Sequence, residues 1–223
     1  MSMRRTMTRR LRQPAWAVLL LAGVTLVAAC SLAAPRNEPE MHIHFLNPDE
    51  PADSTTDRAD KKEGNATLLV SLPQAQAGFE TARMAYLLRA HEIRYFAVHQ
   101  WADTPGRMLT PLLRRALEKA DDWRAVVQAP AAVRSDFRLD ADQLALLQDF
   151  TTRPSRVRLI LRVQLVDLKG QQVIGARRFE AVEAAPSDDP YGGVEAASRA
   201  LSKLLDQVTT WLSGCMKKTP SAC

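Results

Sequence analysis

The chain has 223 residues, of which 46% are hydrophobic and 25% are charged, and its formal net charge is +5. This length suits one domain of ordinary size with a short tether. The positive charge is concentrated at the start, because residues 1–29 contain five arginines and no acidic residue. Without that segment the chain has no net charge, which argues against a nucleic-acid-binding protein, since such a protein needs a basic surplus or stripe.

The first segment has the three parts of a secretory signal. An arginine-rich leader precedes 16 uncharged residues, 14–29, which end in small side chains directly before Cys30. This uncharged run is shorter than the roughly 20 residues of a membrane-spanning helix. Residues 1–29 are therefore predicted to be a cleaved signal peptide, and an uncleaved inner-membrane anchor is the alternative.

The Val27-Ala28-Ala29-Cys30 segment resembles the lipobox of bacterial lipoproteins. The resemblance implies that a diacylglyceryl group is joined to the Cys30 thiol and that the leader is cut before this residue. Two or more acyl chains anchor a protein firmly to a membrane. In that class an Asp after the lipidated cysteine favours inner-membrane retention, whereas this chain has Ser31, so the resemblance favours the periplasmic face of the outer membrane.

The two remaining cysteines, Cys215 and Cys223, are close together in the sequence. An exported protein meets an oxidising compartment, so we predict a disulfide that closes the tail, 214–223. A metal-binding pair is the alternative, although no histidine or third cysteine lies nearby in the sequence.

The order of the predicted strands and helices indicates an α+β domain over 41–213. A lipidated cysteine and a tether, 30–40, precede this domain. Residues 41–46 alternate as a short strand, and 47–65, rich in Asp, Lys, Glu and Pro, is predicted to be a mobile loop. We expect helices packed on one face of a mainly antiparallel or mixed sheet. The predicted strands are 67–72, 84–88, 94–101, 123–128, 136–150, 156–167 and 172–183, and the predicted helices are 105–120, capped by Thr104 and kinked or restarted at Pro111, and 191–212.

Three groups of side chains invite a functional reading. His42 and His44 on one strand face could ligate a metal, but a site needs three or four donors. A carboxylate cluster could do acid/base chemistry, or it could face the arginines of the next strand in opposite-charge pairs. The tryptophans are expected in the core or at helix ends rather than as ligand-stacking residues. The carboxylates are Asp136, Asp140, Asp142 and Asp149, the arginines are Arg156, Arg158 and Arg162, and the tryptophans are Trp101, Trp123 and Trp211.

Several short motifs in order resemble the auxiliary lipoproteins of ABC-type transport systems, the PqiC-like group that accompanies MCE-domain proteins. The motifs include Tyr95-Phe96-Ala97, Pro111-Leu112-Leu113-Arg114-Arg115, Pro154-Ser155-Arg156-Val157 and Asp189-Pro190-Tyr191-Gly192-Gly193. The resemblance implies a non-enzymatic accessory protein without a cofactor, working with an MCE-domain protein, an inner-membrane permease and an ATPase in lipid transport. A homo-oligomer is possible on this view.

The sequence contains no phosphate-binding loop of the G-x-x-x-x-G-K-[ST] type, no G-x-S-x-G and no H-E-x-x-H. Two other functions stay open at this point. One is an outer-membrane lipoprotein that regulates a peptidoglycan synthase or another envelope complex. The other is a lipid-anchored periplasmic hydrolase, for which we can nominate no nucleophile with a base.

Overall fold

The computed structural model describes residues 39–47, 64–120, 122–217 and 223, and its folded unit spans 40–223. The predicted signal peptide, Cys30 and residues 48–63 of the predicted loop lie outside the described residues. The described part contains one mixed sheet and two helices, which confirms the predicted α+β class. The elements are β1 (His42–His44), β2 (Thr67–Val70), β3 (Arg83–Arg89), β4 (Glu92–Trp101), α1 (Pro105–Lys119), β5 (Ala125–Gln128), β6 (Phe137–Asp149), β7 (Arg156–Asp167), β8 (Gln172–Ala184) and α2 (Pro190–Lys217).

Strand β6 joins the whole sheet. Its first half pairs in parallel with β2, which also pairs with β5, and its second half pairs in parallel with β3. Strand β3 continues through an antiparallel hairpin to β4, and β1 lies in parallel against β4. On the other edge of β6 the long antiparallel strands β7 and β8 follow in order.

A β-bulge divides the two halves of β6. The pairing with β7 shifts between Asp142 and Ala145, and Gln143 there has a φ of 54°. The segment that connects β2 to β3 closes on this point, because Leu144 donates to the Gln74 carbonyl at 3.1 Å and accepts from the Gln76 amide at 2.9 Å. Bulges bend a strand and increase its twist. The bend lets one strand accept two successive partners on the same edge.

The core lies between the sheet and the two helices. Strand β7 alternates as its sequence predicts, with five aliphatic side chains buried on the helical side. Helix α2 packs on β7 and β8, and α1 packs on β5, β6 and α2. Burying such side chains stabilises the fold by about 1.5–3 kcal/mol each. The five are Val157, Leu159, Leu161, Val163 and Leu165.

A smaller apolar cluster lies apart from the main core. Phe79, in the segment between β2 and β3, covers Ala145, Leu147 and Ile160 of β6 and β7. Tyr95 packs against the same cluster and donates a hydrogen bond to the Gly78 carbonyl at 2.7 Å. The sheet therefore buries apolar side chains in two separate clusters.

Both helices differ in detail from the prediction. Helix α1 runs through Pro111 without restarting, and Thr104 occupies the N-cap position but makes no side-chain capping bond. The Asp103 carboxylate instead accepts the Thr104 amide at 2.7 Å. Helix α2 extends to Lys217, so Gly214 is helical, because Cys215 continues the buried stripe beyond Leu212.

The start of α2 is held by close backbone packing. The carboxylate of Asp189 accepts the Gly192 amide at 2.8 Å, while buried Gln148 donates to the Asp189 carbonyl at 3.1 Å. A Cβ on Gly192 would overlap the Ser187 carbonyl oxygen, and one on Gly193 would overlap the Gln148 side chain. The Asp189-Pro190-Tyr191-Gly192-Gly193 motif thus fixes where α2 meets the sheet.

Gly192→Ala is expected to destabilise the protein by about 1–3 kcal/mol, because a methyl group must displace backbone rather than a flexible side chain. Gly214→Ala in the same helix is the matched control, since a Cβ there has no neighbour within 4 Å. This control should gain up to about 1 kcal/mol from helix propensity. The free energy of unfolding in urea measures both, and equal stability of the two variants would contradict the packing account.

Candidate functional site

Strand β1 forms an edge of the sheet beside the start of α2. Within the part of the chain that the structure describes it pairs with β4 alone, with His42 opposite His99 and His44 opposite Trp101. The Ala102 amide donates to the His44 carbonyl at 2.6 Å, and the Asn47 amide donates to the Ser198 hydroxyl at 3.3 Å. These bonds attach a three-residue strand to both β4 and α2.

Three histidine rings stack across β1 and β4. The ring centroid of His99 lies 4.7 Å from that of His42 and 5.3 Å from that of His44, with interplanar angles of 20° and 13°. His44 Nε2 and His99 Nδ1 lie 3.0 Å apart, so one ring donates and the other accepts. Phe96 meets the His99 ring edge-on at 6.1 Å. The strand is therefore held by ring contacts as well as by backbone pairing.

The stack favours the neutral forms of His44 and His99. Partial burial and the neighbouring rings of His99 and His42 lower the pKa of His44. Partial burial and His42 also lower the pKa of His99, while Asp189 opposes this shift. An imidazole accepts a hydrogen bond only when it is neutral, so the His44–His99 bond and the pKa shifts agree.

A groove of about 560 Å³ runs between β1 and α2. Ile43 and Phe45 form one wall and are 62% and 67% exposed, and Tyr191 on the other wall is 62% exposed. The alternation along β1 places Ile43 and Phe45 opposite His42 and His44, as the sequence predicts, although His44 also borders the groove. Val194 and four further polar residues complete the lining, namely Asn47, Glu195, Ser198 and Arg199.

The predicted cluster of carboxylates and arginines forms separate ion pairs. Asp142 pairs with Arg162 across β6 and β7 at 2.8 Å, as expected. The expectation is wrong for Arg158, which pairs with Glu180 on β8 at 2.7 Å and lowers the pKa of that carboxyl. Asp140 pairs within its own strand with Arg138 at 2.8 Å. The β6–β7 register is the physical reason, because Arg158 lies opposite Leu147 rather than opposite a carboxylate of β6.

The remaining carboxylates also act locally. Asp136 accepts the Thr67 amide at 2.8 Å and lies 3.9 Å from Arg124. Asp149 lies opposite Arg156 in the β6–β7 register, but its side chain accepts the amide and hydroxyl of Thr151 at 2.8 and 2.6 Å. These acids stabilise strand ends and turns and are not gathered around one point.

The tryptophans lie in or beside the core, and the candidate metal-binding histidines contact another histidine. Trp101 and Trp123 are buried in the core, and Trp211 packs edge-on against Phe179 at 5.9 Å. Over residues 39–47, 64–120, 122–217 and 223, no group of three or more His, Cys, Asp or Glu side chains is arranged to hold a metal. His42 and His44 do share a face, and what they contact is His99.

The tail cysteines lie together at the end of α2. Cys215 is buried in the core, and its Cα lies 5.0 Å from that of Cys223, with the two residues placed as a disulfide. This separation is within the usual range for disulfides. The Cys215–Cys223 disulfide that the sequence predicts stays a prediction.

Sequence reasoning missed His99 as part of the site. His42 and His99 are 57 residues apart in the chain, and only the parallel pairing of β1 with β4 brings them together. No local pattern predicts such a pairing. The contribution of α2 to the groove was equally hidden, although the resemblance had singled out the Asp189-Pro190-Tyr191-Gly192-Gly193 motif that positions it.

The fold and the β1 edge define a class of protein, namely a small α+β domain with an exposed groove. The sequence matches the family described as ABC-type transport auxiliary lipoprotein component over residues 46–209. This match covers most of the chain, and the chain belongs to that family. The predicted resemblance is thereby confirmed.

Solved structures share the fold. A crystal structure of a protein from Xanthomonas campestris has a TM-score of 0.61 at 21% identity, covering 78% of this chain and 94% of that one. An uncharacterized protein has a TM-score of 0.58 at 13% identity, covering 78% of this chain and 99% of that one. Identities this low support a common fold and nothing finer. No curated protein matches the chain.

Stability is expected to fall as the pH is lowered below about 6.5, the ordinary histidine value. The pKa values of His44 and His99 are lowered by folding, so the unfolded chain binds protons first and stability present above that pH is lost below it. Urea unfolding followed by tryptophan fluorescence from about pH 8 to about pH 5.5 measures this. His99→Asn should flatten the dependence.

The exposed histidine His91 lies outside the stack and provides the control. Its left-handed backbone, with a φ of 66°, tolerates asparagine, so His91→Asn should keep the wild-type pH dependence. An unchanged slope in His99→Asn would contradict the assignment of this dependence to the stack.

Non-reducing mass mapping of protein isolated from its own envelope is expected to give one peptide pair that joins Cys215 to Cys223. Because the loop between them is short, reduction should cost stability near the low end of the usual range of about 2–4 kcal/mol. Two free thiols in freshly isolated protein would show that the pairing is wrong.

Proposed function

We infer that the chain is a membrane-anchored, non-enzymatic accessory lipoprotein of an MCE-type, ABC-driven phospholipid transport system. The observation that carries this proposal is the family match over residues 46–209, which spans nearly all of the described domain. The lipobox-like segment ending at Cys30 supports the anchor. In this proposal the domain docks onto the periplasmic part of the transport assembly, and ATP hydrolysis takes place in other subunits.

The anchor supplies the mechanism. Acyl chains on Cys30 would confine the domain to a thin layer next to the membrane, which raises its effective concentration for a partner in the same layer. The uncharged Ser31 after Cys30 favours the periplasmic face of the outer membrane. In the described part of the chain no helix is both long enough and apolar enough to cross a bilayer.

The side-chain geometry supports a binding role better than catalysis. His44 and His99 use a ring nitrogen each to bond one another, at 3.0 Å, rather than to activate a hydroxyl or thiol. Ser198 in the groove accepts the backbone amide of Asn47. General-base activation needs a nucleophile within hydrogen-bond reach of the base. The groove instead offers apolar contact area, which suits recognition of a partner or a surface.

Purification of the full lipidated protein from its own envelope, after mild cross-linking and in mild detergent, is expected to recover an MCE-domain protein with a permease and an ATPase. Mass spectrometry identifies what is recovered. Recovery of a cell-wall synthase instead, or of no partner, would contradict the transport proposal.

Two variants separate anchoring from docking. Cys30→Ala removes the acyl anchor and should sharply reduce recovery of the partners. Ser31→Asp keeps the cysteine and should move the protein toward the inner-membrane fraction if the outer-membrane assignment is right. If the wild-type protein is found in the inner-membrane fraction, the outer-membrane assignment is contradicted, while the accessory role is not.

A further inference from the structure

The groove between β1 and α2 exposes apolar side chains on both of its walls. Ile43, Phe45 and Tyr191 line it, each more than 60% exposed, and Met41 lies two residues before Ile43 on the same side of the chain. We call these four side chains the β1 patch. Apolar patches rimmed by polar residues mark interaction sites.

Most of the β1 patch stands at the N-terminal start of the domain, next in sequence to the proposed tether. Cys30 is 11 residues before Met41, and a chain of that length spans at most about 40 Å even when fully extended. This step rests on the proposed lipidation of Cys30. Met41, Ile43 and Phe45 precede every other exposed apolar residue of the described domain, so this part of the β1 patch is nearest to the anchor along the chain.

We propose that the β1 patch docks onto the surface of the bilayer that holds the acyl chains of Cys30. Side chains such as Tyr, Phe and Ile contribute to binding at the headgroup boundary of a bilayer. A weak contact between the β1 patch and the bilayer is sufficient to hold the domain on the membrane. The acyl anchor already attaches the protein there, so this contact forms at a high effective concentration. The domain would then lie on the membrane with one fixed face.

The chemistry of the edge limits how deep this docking can be. Among the described residues strand β1 pairs with β4 alone, so in this part of the chain its other edge has backbone N–H and C=O groups that need water or headgroups as partners. The phenolic hydroxyl of Tyr191 and the carboxylate of Glu195 also lie in the groove. The apolar side chains therefore enter the headgroup boundary and the backbone stays outside the hydrocarbon.

The charges beside the patch suit a zwitterionic surface. Glu195 and Arg199 in the groove carry opposite charges. Arg199 is already engaged, since it donates to the Ala184 carbonyl at 2.8 Å and lies 3.8 Å from Glu183. Recognition of strongly anionic lipid needs a cluster of basic residues. The groove has no such cluster among its lining residues, so phosphatidylethanolamine-type lipid fits it.

Site-specific photo-cross-linking tests the proposal in the producing cells, using the full lipidated chain. Phe45→p-benzoylphenylalanine replaces one exposed aromatic side chain by another, so the fold is expected to survive. Val173→p-benzoylphenylalanine is the matched control, because Val173 is 55% exposed and lies on β8, the opposite edge of the sheet. After irradiation, intact-mass analysis reports adducts with phospholipid or with protein.

The expected result is a phospholipid adduct at position 45 that is several-fold more abundant than at position 173. Equal lipid adducts at both positions, a protein adduct at position 45 from a second copy or another subunit, or no adduct there would each overturn the docking face. Membrane fractionation and partner recovery from the same cells distinguish the two proposals. If anchoring and partners persist without the lipid adduct, only the docking face is wrong.

Discussion

The bend in β6 is the constraint on which the rest of the structure depends. Every other strand of the described residues joins the sheet through β6, directly or through a neighbour, and the bulge at Gln143 lets the two halves of β6 take β2 and β3 as successive parallel partners. Parallel pairs need long connections, and the segments between these strands supply them. Without the bend, the β3–β4–β1 arm would have no place on that edge.

The position of the groove follows from this arrangement. The β3–β4–β1 arm ends at β1, while α2 crosses β7 and β8 and begins beside the same edge. The Asp189 carboxylate and the close approach of Gly192 fix that beginning. A short strand and a helix start, which are far apart in the sequence, therefore form the two walls of one groove.

Periodicity predicted most of the fold, because β7 and α2 each bury one face with regular spacing. Strand β7 was predicted with its observed bounds, and α2 was predicted except for its first residue and its last turns. The bulge at Gln143 could not be predicted, since neither its residue type nor its neighbours demand a left-handed backbone. The expected pairing of Arg158 with a carboxylate of β6 was wrong because the β6–β7 register places Leu147 opposite it, and the alternation of a strand does not by itself fix its register against a neighbour.

The candidate site was less predictable than the fold. The alternation of His42 and His44 with Ile43 indicated two different faces of β1, and the structure has both. The third histidine and the helical wall depend on contacts over long stretches of chain, and such contacts follow from topology rather than from a local pattern. The transport role itself came from family resemblance and not from the chemistry of any side chain.

In the proposed role this domain works at a membrane to which Cys30 attaches it. The most direct measurement is the mass of the N-terminal peptide of the mature protein from its own envelope. The account predicts a peptide that begins at Cys30 and carries a diacylglyceryl group on sulfur. A peptide that begins elsewhere, or one that begins at Cys30 with a free thiol, would contradict the anchor and the membrane-bound function built on it.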